Sequence, residues 1–392
     1  MNRKWITFGG VLIGLMLVGL GPATAWAQAP PATPAQDPPA QTAPTPATEA
    51  SGFSFFKQTE LSGFVDVYVG YNFNTPSTRQ AQVRNFDVQH NSFSLNLAEV
   101  ALEKKPAANS RAGFRVDLDY GPAATTINAA EPGGTQTFQN ILQAYASYLA
   151  PLGTGLQFDV GKFVTPIGYE SIKTRDNWNY SRSLLFTLAE PYYHAGVRAN
   201  YSFNDHVSLS GYLVNGWNNV VDNNGGKTVG VQATIKPSAA VTIVQSYMGG
   251  PEQANDNADW RHLLDTVITY TVTPTVNLAM NYDYGRDTVA ASTVTWQGVA
   301  GYLRYQPNTW FAFTPRVEYY DDPNGTTTGV VQKIREVTLT TEFKQKDGLI
   351  VRVEYRRDMS DTPFFQKGVL GRVNHQDTLT VGMVYAFSSG HQ

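Results

Sequence analysis

The chain has 392 residues, a formal net charge of −3, no cysteine and a mean hydropathy of −0.27. That hydropathy excludes a bundle of membrane-spanning helices, and the missing cysteines exclude disulfide staples. A mildly acidic balance argues against a nucleic-acid partner, which would need a basic face.

The one long apolar run, residues 6–20, follows Arg3 and Lys4 and precedes Ala25-Trp26-Ala27. A basic start, an apolar stretch and a small-x-small site predict a secretory signal peptide over 1–27, with a membrane anchor as the alternative. No cysteine follows it, which excludes a lipoprotein anchor. Its removal takes away Arg3 and Lys4 and no acid, so the formal charge moves from −3 to −5. Residues 28–56 are Pro/Ala-rich, with almost no large apolar residue before Phe53. Such a segment buries no core and is expected to be disordered in the periplasm. The folded domain is expected over 57–392.

Beyond Thr59 the sequence alternates with period two and shows no helical period. Sixteen strands follow, and their connections say more than the strands do. Strand 61–73 leads into a long polar connection and 93–103 into a short one, with a parity switch inside 93–103 that signals either a bulge or a different register from the one drawn. Strand 111–120 opens into a long Gly/Pro-rich loop, and 142–149 closes at Pro151-Leu-Gly-Thr154. Strand 156–163 precedes the longest connection, and 195–203 precedes the tight Asn204-Asp205. The pattern persists through 207–213, 228–235, 241–247, 264–272, 276–284 (followed by a medium loop), 299–305, 311–319, 337–343, 349–355 and 378–387. Long and short connections alternate throughout. An antiparallel transmembrane β-barrel of about sixteen strands, with short periplasmic turns and long extracellular loops, has that asymmetry. A soluble sandwich has no reason to keep it.

Side-chain parity orients the wall. In 349–355, Leu349, Val351, Val353 and Tyr355 share one face, and Arg352, Glu354 and Arg356 the other. Turning an arginine to hydrocarbon near the midplane would cost roughly 2–4 kcal/mol, so the charged face looks inward. The same argument sends Asp66, Arg115, Asp117, Asp119, Asp159, Arg198, Arg316 and Glu318 to the lumen. A barrel of sixteen strands is wide enough for an aqueous channel, where charges facing water cost little. Inward acids modestly outnumber inward bases, which predicts a weak cation preference. The last strand ends the pattern: Leu379, Val381, Met383, Tyr385 and Phe387 form an apolar, aromatic-ended face suited to lipid and to closing the barrel.

Gly161-Lys-Phe-Val-Thr-Pro-Ile-Gly-Tyr-Glu170, Asn177-Trp-Asn-Tyr-Ser-Arg-Ser183, Asn215-Gly-Trp217 and Gly63-Phe-Val-Asp66 with its following Tyr/Asn run resemble the OmpL-like β-barrel porins. The resemblance covers about 60–387. It implies a barrel in the outer membrane of a Gram-negative bacterium, with channel activity. Five residues follow Phe387, whereas a barrel terminus usually falls on the aromatic.

The connection 164–194 carries Glu170, Lys173, Arg175, Asp176, Arg182 and Glu190 among apolar residues such as Leu184, Leu185 and Phe186. A purely solvated loop has no use for those apolar residues. The expectation is a loop folded into the lumen that constricts the pore; a loop on the outer rim, or an extra strand pair, is the alternative. Enzymatic signatures are missing, the six histidines are scattered, and no cofactor or metal is expected. His194 or His375 could still serve a barrel hydrolase, and Asp321-Asp322 or Asp256 and Asp259 a cation; simple loop residues are the plainer reading. The expected function is an outer-membrane porin passing small hydrophilic solutes or ions by passive diffusion. A barrel for surface recognition or adhesion is the alternative. Expected partners are outer-membrane lipid and lipopolysaccharide, the barrel-assembly machinery through the last strand, and, without an identifiable interface, further copies of the chain in a homo-oligomer.

Overall fold

A strand that crosses hydrocarbon must pair every backbone amide within the chain, and a row of strands achieves that only by closing on itself. The computed structural model describes residues 58–390. The expected signal peptide (1–27) and Pro/Ala-rich segment (28–56) lie outside them. The strands are β1 (Glu60–Asn72), β2 (Ser92–Lys104), β3 (Ala112–Tyr120), β4 (Ile141–Ala150), β5 (Leu156–Val164), β6 (Tyr193–Ser202), β7 (Val207–Val214) and β8 (Thr228–Ser238). They continue as β9 (Val241–Pro251), β10 (Trp260–Thr273), β11 (Val276–Val289), β12 (Ser292–Tyr305), β13 (Phe311–Asp322), β14 (Gln332–Lys344) and β15 (Leu349–Ser360). A hairpin of β16 (Phe365–Lys367) and β17 (Gly371–Val373) rides on the last long connection before β18 (His375–Ser388).

Sixteen of these strands form one closed barrel, each antiparallel to its sequence neighbours, sealed where β1 meets β18. At the seam Gly63 stands opposite Phe387. Phe387 leans over it so closely that a Cβ at Gly63 would lie 2.7 Å from the ring. Leu379, Val381, Met383, Tyr385 and Phe387 are 39–48 % exposed, while Thr378, Thr380 and Val384 between them are buried. The wall is therefore apolar outside and mainly polar inside, as strict alternation requires.

Register shifts interrupt the pairing of β1 with β2, β3 with β4, β8 with β9 and β10 with β11, and the first two bear on the inward residues. In β2, Leu97 faces Asp66 and Leu95 faces Val67, so Asn96 is an extra residue. Both Asn96 and Leu97 turn inward and are buried. The parity switch thus marks a bulge. In β4, Gln143 faces Asp117 and Ile141 faces Leu118, leaving Leu142 as a second extra residue.

The medium loop expected after residue 284 is mostly strand. β11 and β12 run on to a two-residue turn at Ala290 and Ala291, with φ of 48° and 62°. Positive φ at both central residues matches the twist of the flanking strands, which lets the hairpin extend beyond the wall. Short helices α1 (Pro122–Ile127), α2 (Thr135–Phe138) and α3 (Leu184–Leu188) occupy the connections. Each is too short to leave a helical period in the sequence.

Candidate functional site on the inner wall

The connection from β5 to β6 is the longest between barrel strands, and it docks on inward-facing side chains around much of the barrel. The Pro166 carbonyl accepts from Gln232 of β8, and the Tyr169 amide donates to Asn281 of β11. Glu170 takes a hydrogen bond from Arg316 of β13 at 2.8 Å. The chain then crosses to the opposite strands. Lys173 Nζ lies 2.7 Å from both Glu99 of β2 and Asp117 of β3. Thr174 Oγ1 donates to Asp66 of β1 at 2.6 Å, and the Tyr180 hydroxyl donates to the same carboxylate at 2.8 Å.

The crest of the loop is held by β13–β15. Glu354 accepts from the amides of Tyr180 (2.6 Å) and Ser181 (2.9 Å) and from the Thr340 hydroxyl (2.7 Å). Arg352 donates to the carbonyls of Thr174 (2.6 Å) and Asn177 (2.5 Å) while pairing with Glu342. Arg356 donates to the Arg182 carbonyl at 2.6 Å and pairs with Asp358. Arg316 also reaches the Ser181 carbonyl and lies 3.0 Å from Glu318, which accepts from the Leu184 amide. Arg182 turns back on its own loop, donating to the carbonyls of Ser171, Ile172 and Tyr180.

These charges do not stand in water, as the parity argument expected. Arg316, Arg352 and Arg356 are at most 1 % exposed. A buried charge is tolerated when it is paired and fully hydrogen-bonded, and backbone carbonyls of the loop supply much of that bonding. Wall and loop are thus chemically matched. The apolar loop residues have partners too: Phe186 packs with Phe86, Phe64 and Leu97, and Leu184 and Leu185 pack with Trp296, Tyr302 and Tyr320. The Tyr180 ring lies against Gly382 of β18, where an added Cβ would come within 2.1 Å of it.

The other sequence-predicted residues fall in three groups. Asp117 binds Arg115 as well as Lys173, and Asp159 pairs with Arg198 at 2.7 Å. Arg115 and Arg198 keep about a fifth of their side chains exposed, 22 % and 20 %. Asp119 is buried beside Glu99. Arg175 donates to the Gly63 carbonyl, whereas the Asp176 side chain is 45 % exposed and among the described residues pairs only with Arg175, at 3.7 Å. Asp176 therefore does not join the docked network.

Sequence reading missed several members. Glu99 lies beyond the bulge in β2, so simple alternation assigns it the wrong face. Lys162 follows Gly161, whose φ of 141° breaks the parity. That turns Lys162 inside, where it meets Asn128 at 2.7 Å and covers the Tyr193 ring. Arg84, from the connection 73–91, pairs with Asp87 and Asp358 and donates to Thr378. Nothing local in that polar connection signals its docking. Some inward polar side chains of β5–β8, Gln157, Asn200, Ser210 and Gln232, are only half-buried, although Asp159 and Tyr212 beside them are buried.

His194 is buried between the Gly216 carbonyl and Thr165, bonded through both ring nitrogens. Asp322 is consumed by the amides of Thr326, Thr327 and Thr328, and Asp256 by Ala258. No group of three or more potential metal ligands occurs among the described residues.

A family model described as "Putative beta-barrel porin-2, OmpL-like" matches residues 58–387. The chain belongs to this family. This OmpL-like porin is therefore a bacterial outer-membrane β-barrel. No curated protein matches it. Solved structures share the fold at low identity. An anion-selective porin from Comamonas acidovorans has 12 % identity and a TM-score of 0.58, covering 84 % of this porin and 99 % of its own chain. The outer-membrane channel DcaP of Acinetobacter baumannii has 13 % identity and a TM-score of 0.57, covering 84 % and 97 %. Salmonella typhi OmpF, in complex with daunomycin, has 14 % identity and a TM-score of 0.57, with the same coverage.

Proposed function

We propose that this OmpL-like porin passes small hydrophilic solutes and ions by passive diffusion, without bond chemistry, along a water path narrowed by the loop between β5 and β6. The observation that carries the reading is the docking of that loop on buried charged wall residues through its own backbone. The loop contacts Arg316, Arg352, Arg356 and Glu354 on one side and Asp66, Glu99 and Asp117 on the other. The half-exposed polar side chains of β5–β8 support a path beside the loop, with Arg115 and Arg198 as its accessible charges. Water touching such residues permits passage and sets the field a solute crosses.

Inward acids such as Asp117, Asp159, Glu318 and Glu342 are matched by arginine or lysine, which leaves only a weak cation preference. Contact of the closing strand with the barrel-assembly machinery, and assembly with further copies of the chain, belong to the same proposal. The test is single-channel conductance in planar bilayers, comparing the full porin with a variant lacking 172–188. Conductance should rise in the deletion, because the released wall arginines then face water. Equal conductance refutes the constriction, and an absence of channels in the parent refutes diffusion.

A further inference from the structure

The lipid-facing wall carries basic side chains that form no ion pair among the described residues, among them Lys333 and Arg335 of β14 and Arg286 of β11, and Arg286 is the one that lines a hollow together with an imidazole. Toward the long-loop ends of β9–β11, Tyr247, His262, Leu264, Tyr284 and Arg286 line an open-sided hollow of about 370 Å³. His262 and Arg286 are cross-strand partners. Both point outward, since their neighbours Arg261 and Asp287 point inward and pair with each other at 2.7 Å. Among the described residues no carboxylate lies within ion-pair distance of Arg286. The outward Arg357 differs, since Asp377 sits 3.3 Å away. Tyr247 Oη lies 2.8 Å from His262 Nδ1, and the Trp260 ring lies tilted beside the same imidazole, 6.0 Å between centroids. When that hydroxyl donates to Nδ1, the imidazole proton rests on Nε2, which no protein group engages among the described residues.

Position narrows the ligand. Arg286 lies three residues before the end of β11, roughly 10 Å along the strand. An outward arginine costs little near the interface and roughly 2–4 kcal/mol at the midplane, so this one belongs at headgroup level. A guanidinium and an imidazole N–H suit phosphate oxygens, and a tyrosine-rich, partly apolar floor suits the first carbons beneath a headgroup. We infer that this hollow binds the phosphorylated headgroup of an outer-leaflet lipid, with Arg286 and His262 holding the phosphate and Tyr247, Leu264 and Tyr284 packing below it. The inference needs only the outer-membrane location and is independent of what crosses the lumen.

The test is native mass spectrometry of the detergent-solubilised mature porin titrated with bis-phosphorylated lipid A, with the same lipid after phosphate removal, and with inorganic phosphate. The parent should bind the phosphorylated lipid at least about tenfold more tightly than the dephosphorylated one, and Arg286→Gln with His262→Gln should abolish that preference. Lys236→Gln, at the short-turn end, should leave it intact. Equal binding of both lipids by the parent, or equal discrimination by parent and double variant, overturns the site. Inorganic phosphate binding as tightly as lipid A makes it a free-anion site and overturns the lipid assignment. Heat-dependent gel mobility reports whether each barrel is folded, and His262→Gln alone carries the same test should the double variant fail to fold. Conductance should be unchanged in every variant, which separates this outcome from that of the channel reading.

Discussion

Glu354→Ala isolates the hold of the wall on the loop crest. The carboxylate is 1 % exposed and accepts three hydrogen bonds, from the Tyr180 amide at 2.6 Å, the Ser181 amide at 2.9 Å and the Thr340 hydroxyl at 2.7 Å. Hydrogen bonds to a charged group are each worth roughly 1.5–3 kcal/mol, and stranded buried donors add a similar cost. Water entering the vacated space re-satisfies some donors, which leaves a net loss of about 3 kcal/mol. That raises the population of loop-open states roughly a hundredfold. The backbone ladder between β14, β15 and β18 does not involve this side chain, so the barrel should stay closed and keep its gel mobility. Trypsin reaches Lys173, Arg175 and Arg182 only when the loop lifts, and cleavage that tracks an opening equilibrium should accelerate by the same factor. Single-channel current should become noisier in parallel. Glu354→Gln keeps an acceptor and should fall between the two. Parent-like cleavage and parent-like noise in Glu354→Ala would refute the docking argument.

Three further outcomes follow from the same contacts. Gly382→Val places a Cβ within about 2.1 Å of the Tyr180 ring, so Tyr180 must leave its seat; noisier current with an intact barrel is expected. Gly63→Val meets the Glu99 carbonyl at 2.3 Å as well as Phe387, and backbone cannot yield as a side chain can. It should destabilise the seam by about 3 kcal/mol or more, seen as a lower unfolding temperature of the gel-shifted form. Glu190, in the loop, has its carboxyl held well above the ordinary 4.5 by burial and then by the Asp265 carboxylate. A raised folded-state value means loop docking is strongest below the ordinary value and weakens as pH rises through the raised one. Glu190→Gln should flatten the pH dependence of tryptic cleavage, and an unchanged profile would show that another group governs it.

The sequence by itself determined the number of barrel strands, their order, the face that most strand residues present and the alternation of long and short connections. Those properties are local. A strand residue's face follows from its neighbours alone, and hydrocarbon penalises every charge that breaks the pattern, so Arg352 and Glu354 declared their direction without reference to anything distant. Even the bulge in β2 was visible, as a change of parity. The identity of what meets those inward side chains was not local. Arg352 bonds to a carbonyl 178 positions earlier, and Tyr180 to an aspartate 114 positions before it. Backbone carbonyls carry no residue-specific mark, and the space beside Gly382 exists only once β18 has closed against β1. Tertiary structure alone therefore decided that the wall charges are buried against a loop instead of bathed in water, and that Glu99, Lys162 and Arg84 join them. Alternation sorts side chains between two solvents, but only closure brings distant segments into one enclosed volume where their charges must be matched.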